Sequence, residues 1–237
     1  MARTTSASRL EKLIRAIASD DSARALGMIQ ASPELATEVA SVGASREQAT
    51  DYFLTGVGRY LYSGDTALHV AAAAYRVDVA RALIASRANP RARNRRGAEP
   101  LHAASAGGPG SARWNPGAQA DTIAFLIAAG ADPNAADKSG VAPLHVAVRT
   151  RCAAAVRALI EHGADPLLRN GSGSTPLHLA VQNTGRGGSG TPAAREQQAE
   201  IIRLLMAHGA RLTDRDANGH SVRSRVHASW VEAFVRL

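Results

Sequence analysis

The sequence predicts an all-α fold in which short helix pairs stack into an α-solenoid, with short β-turn or hairpin tips between the pairs. The first observation is an internal repeat, because Leu-His pairs recur at intervals of 33, 43 and 33 residues and glycines recur in phase with them. The second is composition, since only 4% of the 237 residues are aromatic. Aliphatic and alanine side chains suit closely packed helices, and units this short must stack to build a core.

Each repeat reads as a turn followed by two helices. A threonine such as Thr175 can cap the first helix, and Pro176 then occupies the first helical position, where a missing amide hydrogen costs nothing. The second helix ends at a glycine such as Gly163, which readily adopts a left-handed backbone. Between repeats, four segments share an Asx-x-x-Gly pattern that closes a tight turn: 94–97, 137–140, 170–173 and 216–219.

These motifs resemble the ankyrin repeat over residues 65–219, with TPLH-like signatures at the first helices and GADP-like junctions at Gly130 and Gly163. The resemblance implies two antiparallel helices per repeat. It also implies that the signature histidines bond backbone near each helix start and tie neighbouring repeats together. The signature residues are Thr66, His69, His102, His145, Thr175 and His178.

Four positions depart from the ankyrin pattern. Ala67 replaces the signature proline in repeat 1, Glu99 and Ala142 replace the signature threonine, and Arg87 stands where glycine ends the equivalent helices. Each change removes a favourable cap, so we expect a local loss of roughly 0.5–2 kcal/mol without loss of the stack.

The periodicity divides the chain into a disordered N-terminus, a degenerate first repeat with an aromatic capping helix, four full repeats and a C-terminal capping half-repeat. The predicted boundaries are 1–9, 10–63, 64–96, 97–139, 140–172, 173–218 and 219–237. The degenerate repeat should break around Asp20 and Asp21, and the capping helix should cover 46–62. Two Gly-, Pro- and Ser-rich insertions, 106–120 and 183–195, are predicted to be loops between the helices of repeats 2 and 4.

Charge and cysteine content narrow the setting. The net charge of +8 favours an anionic partner. The single cysteine, Cys152, excludes an intramolecular disulfide and a cysteine-based zinc site, which fits a reduced cytoplasm. No apolar run is long enough to cross a membrane. We therefore expect a cytoplasmic protein that binds no membrane and is monomeric by default.

The sequence predicts no enzyme, cofactor or metal site. Histidines at one position of four stacked repeats form a row and do not converge on a point. No Gly-x-Ser-x-Gly motif is present, and the glycine-rich segment 185–190 lacks the lysine and the preceding strand of a phosphate loop. An enzymatic alternative would place chemistry at the insertions around Trp114 and Arg186, and would require titratable groups to converge there.

The most specific functional feature is a basic turn, with five arginines within the ten residues 87–96. Positive charge falls away in the later turns, and no aromatic residues interleave with these arginines for base stacking. The sequence therefore favours an acidic patch on a protein partner. Nucleic-acid binding through 91–96 is the alternative, and a solvated turn is the non-functional interpretation.

The ankyrin resemblance implies a concave binding face made of turns and first helices. The residues predicted to contact a partner there are Tyr75, Arg95, Arg96, Lys138, Arg149, Arg151 and Gln182. Tyr75 and Arg151 occupy a position where the family commonly has glycine. In the first insertion, Trp114 and Asn115 are also predicted to contact the partner, unless Trp114 folds back to close its own loop.

Overall fold

The computed structural model describes residues 2–45, 47, 49–109, 111–112, 114–182, 191–226 and 231–232, with the backbone alone for 2–8. This described part of the chain contains ten α-helices, three short 3-10 turns and one two-stranded sheet. It divides into two compact units, here called the N-terminal unit (1–104 with 117–132) and the C-terminal unit (105–116 with 133–237).

Two helices, α1 (Ala2–Ala18) and α2 (Ser22–Ala31), open the N-terminal unit and contact each other. One face of α1 is buried, with apolar side chains spaced along a single helix stripe: Leu10, Leu13, Ile14 and Ile17. α1 begins at Ala2, within the segment for which the sequence predicts disorder (1–9). No glycine or proline lies between that residue and Leu10 to stop the helix.

The two helices separate at the two aspartates where the sequence predicts a break. Asp20 adopts a φ of 66°, in the left-handed region that a short polar residue tolerates. Asp21 then caps α2, since its carboxylate accepts the amide hydrogen of Arg24 at 3.1 Å.

A hairpin follows where the sequence predicts a capping helix over 46–62. A 3-10 turn at Thr50–Tyr52 leads into β1 (Phe53–Leu54), which pairs antiparallel with β2 (Arg59–Tyr60). The helix prediction is wrong because two glycines, Gly56 and Gly58, separate two short runs of β-forming residues, a pattern typical of a hairpin.

The remaining helices of the N-terminal unit form two repeat-like pairs. They are α3 (Ala67–Ala73), α4 (Val77–Ala85), α5 (Pro100–Ser105) and α6 (Pro116–Ala128). α3 contacts both α1 and α4, and α4 also contacts α2. The Arg81 guanidinium lies over the Phe125 ring, 4.8 Å from its centroid. The loop predicted for 106–120 is wrong beyond Asn115, because Pro116 is well suited to start a helix.

The C-terminal unit contains the other two helix pairs. They are α7 (Pro143–Arg149), α8 (Ala153–Glu161), α9 (Pro176–Ala180) and α10 (Pro192–Ala207). α7 contacts α8 and α9, and α10 contacts the same two helices.

The second insertion and the C-terminal half-repeat are described in part. The loop predicted for 183–195 is wrong from Pro192 onward, because the Thr191 hydroxyl accepts the Ala194 amide hydrogen at 3.2 Å and caps α10. Residues 183–190 lie outside the described residues. Within the predicted half-repeat 219–237, a 3-10 turn covers Arg223–Arg225, and residues 227–230 and 233–237 are also outside the described set.

The four predicted Asx-x-x-Gly turns all form in the same way. In each, the oxygen of the Asx side chain accepts amide hydrogens from the residues two and four positions later, at 2.7–3.1 Å. The four Asx residues are Asn94, Asp137, Asn170 and Asp216. The closing glycines have φ between 71° and 78°, which explains why glycine recurs at this position.

Candidate functional site

His69 is buried and bonded to backbone on both sides of its ring. Its Nδ1 accepts the amide hydrogen of Thr66 at 3.1 Å, so Nε2 carries the proton and donates to the carbonyl of Ala98 at 3.1 Å. Burial lowers the pKa of His69 to about 4, although the nearby Asp65 carboxylate favours the charged ring. The imidazole is therefore neutral at pH 7 and links two successive turns of the N-terminal unit.

The other signature histidines make the same contact at their helix starts. Each Nδ1 accepts the amide hydrogen of the residue three positions earlier, at 3.1–3.2 Å: Glu99 to His102, Ala142 to His145 and Thr175 to His178. Burial lowers the pKa of His145 and of His178 as well. A buried, neutral and backbone-bonded imidazole is suited to holding structure, and is poorly placed to exchange protons with a substrate.

Arg95 and Arg96 share one aromatic ring. Their guanidinium carbons lie 5.5 Å and 5.3 Å from the ring centroid of Tyr62. Arg96 also donates to the Tyr62 hydroxyl at 3.1 Å, and Arg95 donates to the carbonyl of Ala44. Both arginines are nevertheless exposed. The ring thus positions two accessible positive charges next to each other.

The neighbouring arginines of this turn face carboxylates. Arg91 lies 3.5 Å from Asp132, and Arg93 donates to Glu99 at 3.2 Å. Glu99 is buried, and burial raises the pKa of its carboxyl group even though Arg93 favours the charged form. Arg87 is exposed as well, so the adjacent pair of accessible charges in this turn is Arg95 and Arg96.

Tyr75 and Arg151 follow the first helices of their respective repeats in a left-handed conformation. Their φ values are 56° and 59°. This backbone favours glycine, in agreement with the residue that the family commonly has there. Both side chains are half-buried, and burial lowers the pKa of the Arg151 guanidinium.

Three other predicted contact residues lie in the C-terminal unit. Lys138 is exposed in its turn, and Arg149 is exposed at the end of α7. Gln182 is half-buried after α9, and its carbonyl accepts a hydrogen from the Gln198 side chain at 3.4 Å. Of the three, Lys138 and Arg149 are the more accessible to a partner.

Trp114 packs on its own loop. A Cβ atom added to Gly107 would lie 2.9 Å from the Trp114 indole nitrogen and 2.4 Å from the Cys152 sulfur, so both side chains press against this glycine. Trp114 is half-buried, whereas Asn115 is exposed. The geometry matches the alternative in which Trp114 closes the loop. Arg186, the other residue of the enzymatic alternative, lies outside the described residues.

Sequence reasoning missed an apolar groove whose lining includes Leu61, the residue before Tyr62. The groove has a volume of about 630 Å³ and lies between α1, segment 39–42 and the β1–β2 hairpin. Val39, Val42 and Phe53 line it and are 55%, 59% and 40% exposed. The missed signal is the pair of glycines in 52–62, which marks this aromatic segment as a hairpin with one exposed face.

The described residues contain neither a metal-binding cluster nor a membrane-spanning helix. Across the described residues, no three His, Cys, Asp or Glu side chains lie close enough together to hold a metal ion. None of the helices in that same part of the chain has both the length and the apolar character of a membrane span.

Comparison with known proteins identifies the repeat. No curated protein matches the sequence significantly. A family model for ankyrin repeats (three copies) matches residues 111–216, and a model for a single ankyrin repeat matches residues 63–95. These matches cover more than half of the chain and confirm the predicted all-α repeat class. Ankyrin repeats generally mediate protein–protein interactions and typically act as non-enzymatic scaffolds. The chain therefore belongs to the ankyrin-repeat family.

Proposed function

We propose that this protein binds an acidic surface of a partner protein through the Arg95–Arg96 pair of its N-terminal unit. The observation that carries the proposal is the stacking of both guanidinium groups on Tyr62, at 5.5 Å and 5.3 Å from the ring centroid. A planar guanidinium presents several N–H donors that match the two oxygens of a carboxylate.

Preorganisation makes this pair better suited to binding than isolated surface arginines. A free arginine side chain loses rotamer entropy when a partner immobilises it, at roughly 0.5–1.5 kcal/mol per side chain. Hydrogen bonds from Arg96 to the Tyr62 hydroxyl and from Arg95 to Ala44 have already restricted these two chains. Part of the ordering cost is therefore met before the partner arrives.

The same contacts favour a compact acidic patch over a nucleic-acid backbone. A phosphate chain needs a stripe of accessible cations, whereas Arg91 faces Asp132 and Arg93 faces Glu99. These carboxylates offset two of the five arginines in the basic segment. An acidic protein surface needs only the local charge that Arg95 and Arg96 supply.

A charge-matched pair of double variants tests the proposal. The test variant is Arg95→Glu with Arg96→Glu, and the control is Arg24→Glu with Arg211→Glu, two exposed arginines elsewhere with the same change in net charge. The probes are a fluorescein-labelled decaglutamate peptide and a single-stranded DNA decamer. We expect the test variant to weaken peptide binding at least about tenfold and the control to weaken it about twofold or less.

Three results would contradict the proposal. Equal losses in the two double variants would show that only net charge matters. Tighter binding of the DNA decamer than of the peptide, lost in the test variant, would favour nucleic acid. The third result depends on a folded variant, because Arg95 and Arg96 also contact Tyr62, and a thermal melt must show that the test variant is folded. If the double variant is unfolded, Arg96→Glu alone replaces it. Unchanged peptide binding by the folded variant would refute the proposal.

A further inference from the structure

We infer that the apolar groove between α1 and the β1–β2 hairpin receives an apolar side chain of the partner segment whose carboxylates meet Arg95 and Arg96. This inference rests on the proposed function and names the chemistry of the partner: a short acidic segment that carries a large apolar residue. The groove volume of about 630 Å³ is within the range of sites that enclose small ligands or anchoring side chains.

The groove exposes more apolar surface than ordinary packing requires. Val42 is 59% exposed and Val39 is 55% exposed, and both line the groove with Phe53. The Phe53 ring meets the Tyr60 ring edge to face, with centroids 5.0 Å apart, so the hairpin wall is held in place. Exposed apolar side chains that cluster around a concavity are typical of interaction sites, whereas single exposed apolar side chains are normal on a protein surface.

The groove and the arginine pair are joined through a few residues. Val42 precedes Gly43, whose Cα is so close to Tyr62 that an added Cβ would lie 2.7 Å from the Tyr62 Cα. Tyr62 is the residue on which both arginines stack. On the same side, the Ser63 hydroxyl donates to the carbonyl of Ser41, which lines the groove, and the Ser63 carbonyl accepts the amide hydrogen of Arg95.

Charge around the groove decides how a partner segment would lie. Glu11 on the groove wall pairs with Arg15 at 2.6 Å, and Asp51 adds a carboxylate to the lining. A second carboxylate inside the groove would meet Asp51 and be repelled, whereas one beside Tyr62 would meet two guanidiniums. The apolar residue of the partner therefore enters the groove, and its acidic residues lie against Arg95 and Arg96.

Peptide selection tests this directly. Random dodecapeptides displayed on phage are selected on the full chain, and the enriched peptides are synthesised with a fluorescent label. We expect them to combine carboxylates with at least one Leu, Ile, Phe or Trp. Val42→Asp should weaken their binding about tenfold, as should replacement of the peptide's apolar residue by serine, and the two changes combined should cost little more than either alone.

A matched control separates groove binding from general loss of apolar surface. Leu167, in the C-terminal unit, is 44% exposed and is not part of the groove, so Leu167→Asp should change binding about twofold or less. Val39→Asp is the second groove variant and is measured beside Val42→Asp, so that one folded groove variant remains if thermal melting shows that the other is unfolded.

The outcomes distinguish this inference from the proposed function. Binding that survives both groove variants but is lost in the Arg95→Glu, Arg96→Glu variant overturns the groove inference and leaves the proposed function intact. If the selected peptides bind the groove but contain no carboxylates, the inference that the partner segment is acidic is overturned. Concentration-dependent dimerisation that Val42→Asp abolishes would show that a second copy of the chain fills the groove, and would also overturn the inference.

Discussion

His69 donates its Nε2 hydrogen to the carbonyl of Ala98, 3.1 Å away and 29 residues along the chain. The same ring accepts the amide hydrogen of Thr66 at the start of α3. One buried imidazole thus joins a helix start to the next turn of the N-terminal unit. The contact with Thr66 requires the neutral ring, because a protonated Nδ1 could not accept a hydrogen bond.

Stability should therefore fall as the solution becomes acidic. The pKa of His69 is about 4 in the folded protein and 6.5 when unperturbed, so the unfolded chain binds more protons between these values. The stabilisation is fully present above pH 6.5 and is lost as pH falls through 6.5 toward 4. From pH 7 to pH 5, His69 alone should lower the free energy of unfolding by about 2 kcal/mol.

Urea unfolding at a series of pH values measures this slope. Burial of His145 and His178 acts in the same direction and steepens it. Asp216 contributes to the slope at lower pH. Burial alone would raise the pKa of its carboxyl group, but hydrogen bonds from Arg225 and two backbone amides outweigh burial and lower the pKa to about 2. The His69→Asn variant should be less stable at pH 7 and show a shallower slope. Unchanged stability between pH 7 and pH 5 would contradict the neutral, buried rings.

Glu99 is a local weakness that the signature residue of the family would remove. Its side chain is 1% exposed, and its Oε2 atom is buried with no hydrogen-bond partner among the described residues. We expect Glu99→Thr to raise the free energy of unfolding by about 1–2 kcal/mol, because a hydroxyl replaces a poorly solvated carboxylate and can bond His102, as Thr66 does with His69.

The pH dependence identifies the source of this gain. Burial raises the pKa of Glu99 in the folded protein, so this residue destabilises the fold increasingly as pH rises above its unperturbed value of 4.5. The benefit of Glu99→Thr should accordingly be larger at pH 7 than at pH 4.5. Ala142→Thr restores the same signature without removing a charge, so its smaller gain, about 0.5–1 kcal/mol, should not vary over this range. Parallel behaviour of the two variants would argue against the buried carboxylate.

The repeat architecture was predictable because its determinants are local. Each Asx turn depends on a side chain that bonds amides two and four residues later, and each first helix of the TPLH type begins at a proline with a histidine two positions on. Such patterns are visible in the order of residues alone. At Tyr75 and Arg151 the sequence showed only that the family commonly has glycine, and the left-handed backbone at both positions explains that preference.

The candidate binding surface depends on long-range contacts and was only half predictable. Arg95 and Arg96 are conspicuous by charge, but their platform, Tyr62, is 33 and 34 residues earlier in the chain, in a segment predicted to be helical. Stacking across that distance is set by how the hairpin folds onto the first turn. The sequence places Glu99 at a signature site, but the burial of its carboxylate depends on how that site packs in the fold.

Two glycines should respond to alanine in opposite directions. Gly56 lies against the end of α1, where an added Cβ would be 1.8 Å from the carbonyl oxygen of Ala18. We expect Gly56→Ala to destabilise the protein by about 2 kcal/mol or more, because backbone must move. Gly27 lies inside α2 with no atom within 4 Å of an added Cβ, so Gly27→Ala should stabilise by about 0.5–1 kcal/mol. Thermal or urea unfolding measures the stability of both variants. Equal effects would contradict the close packing of Gly56 in the hairpin against the end of α1.

Arg87 should be a site where glycine stabilises the protein. It ends α4 with a φ of 70°, whereas glycines with φ of 101°, 92° and 95° end α6, α8 and α10. The left-handed backbone costs a non-glycine residue about 1 kcal/mol, and the exposed Arg87 side chain makes little packing contribution to lose. Glycine has the greater backbone entropy in the unfolded chain, which reduces this gain. Arg87→Gly should therefore stabilise the protein by roughly 0.5 kcal/mol. Gly209→Ala is the mirror control: an added Cβ meets no atom within 4 Å, so a net loss of roughly 0.5 kcal/mol would come from the same two backbone effects. Urea unfolding of both variants checks the pair, and a destabilised Arg87→Gly would mean that its side chain contributes more than its backbone strain costs.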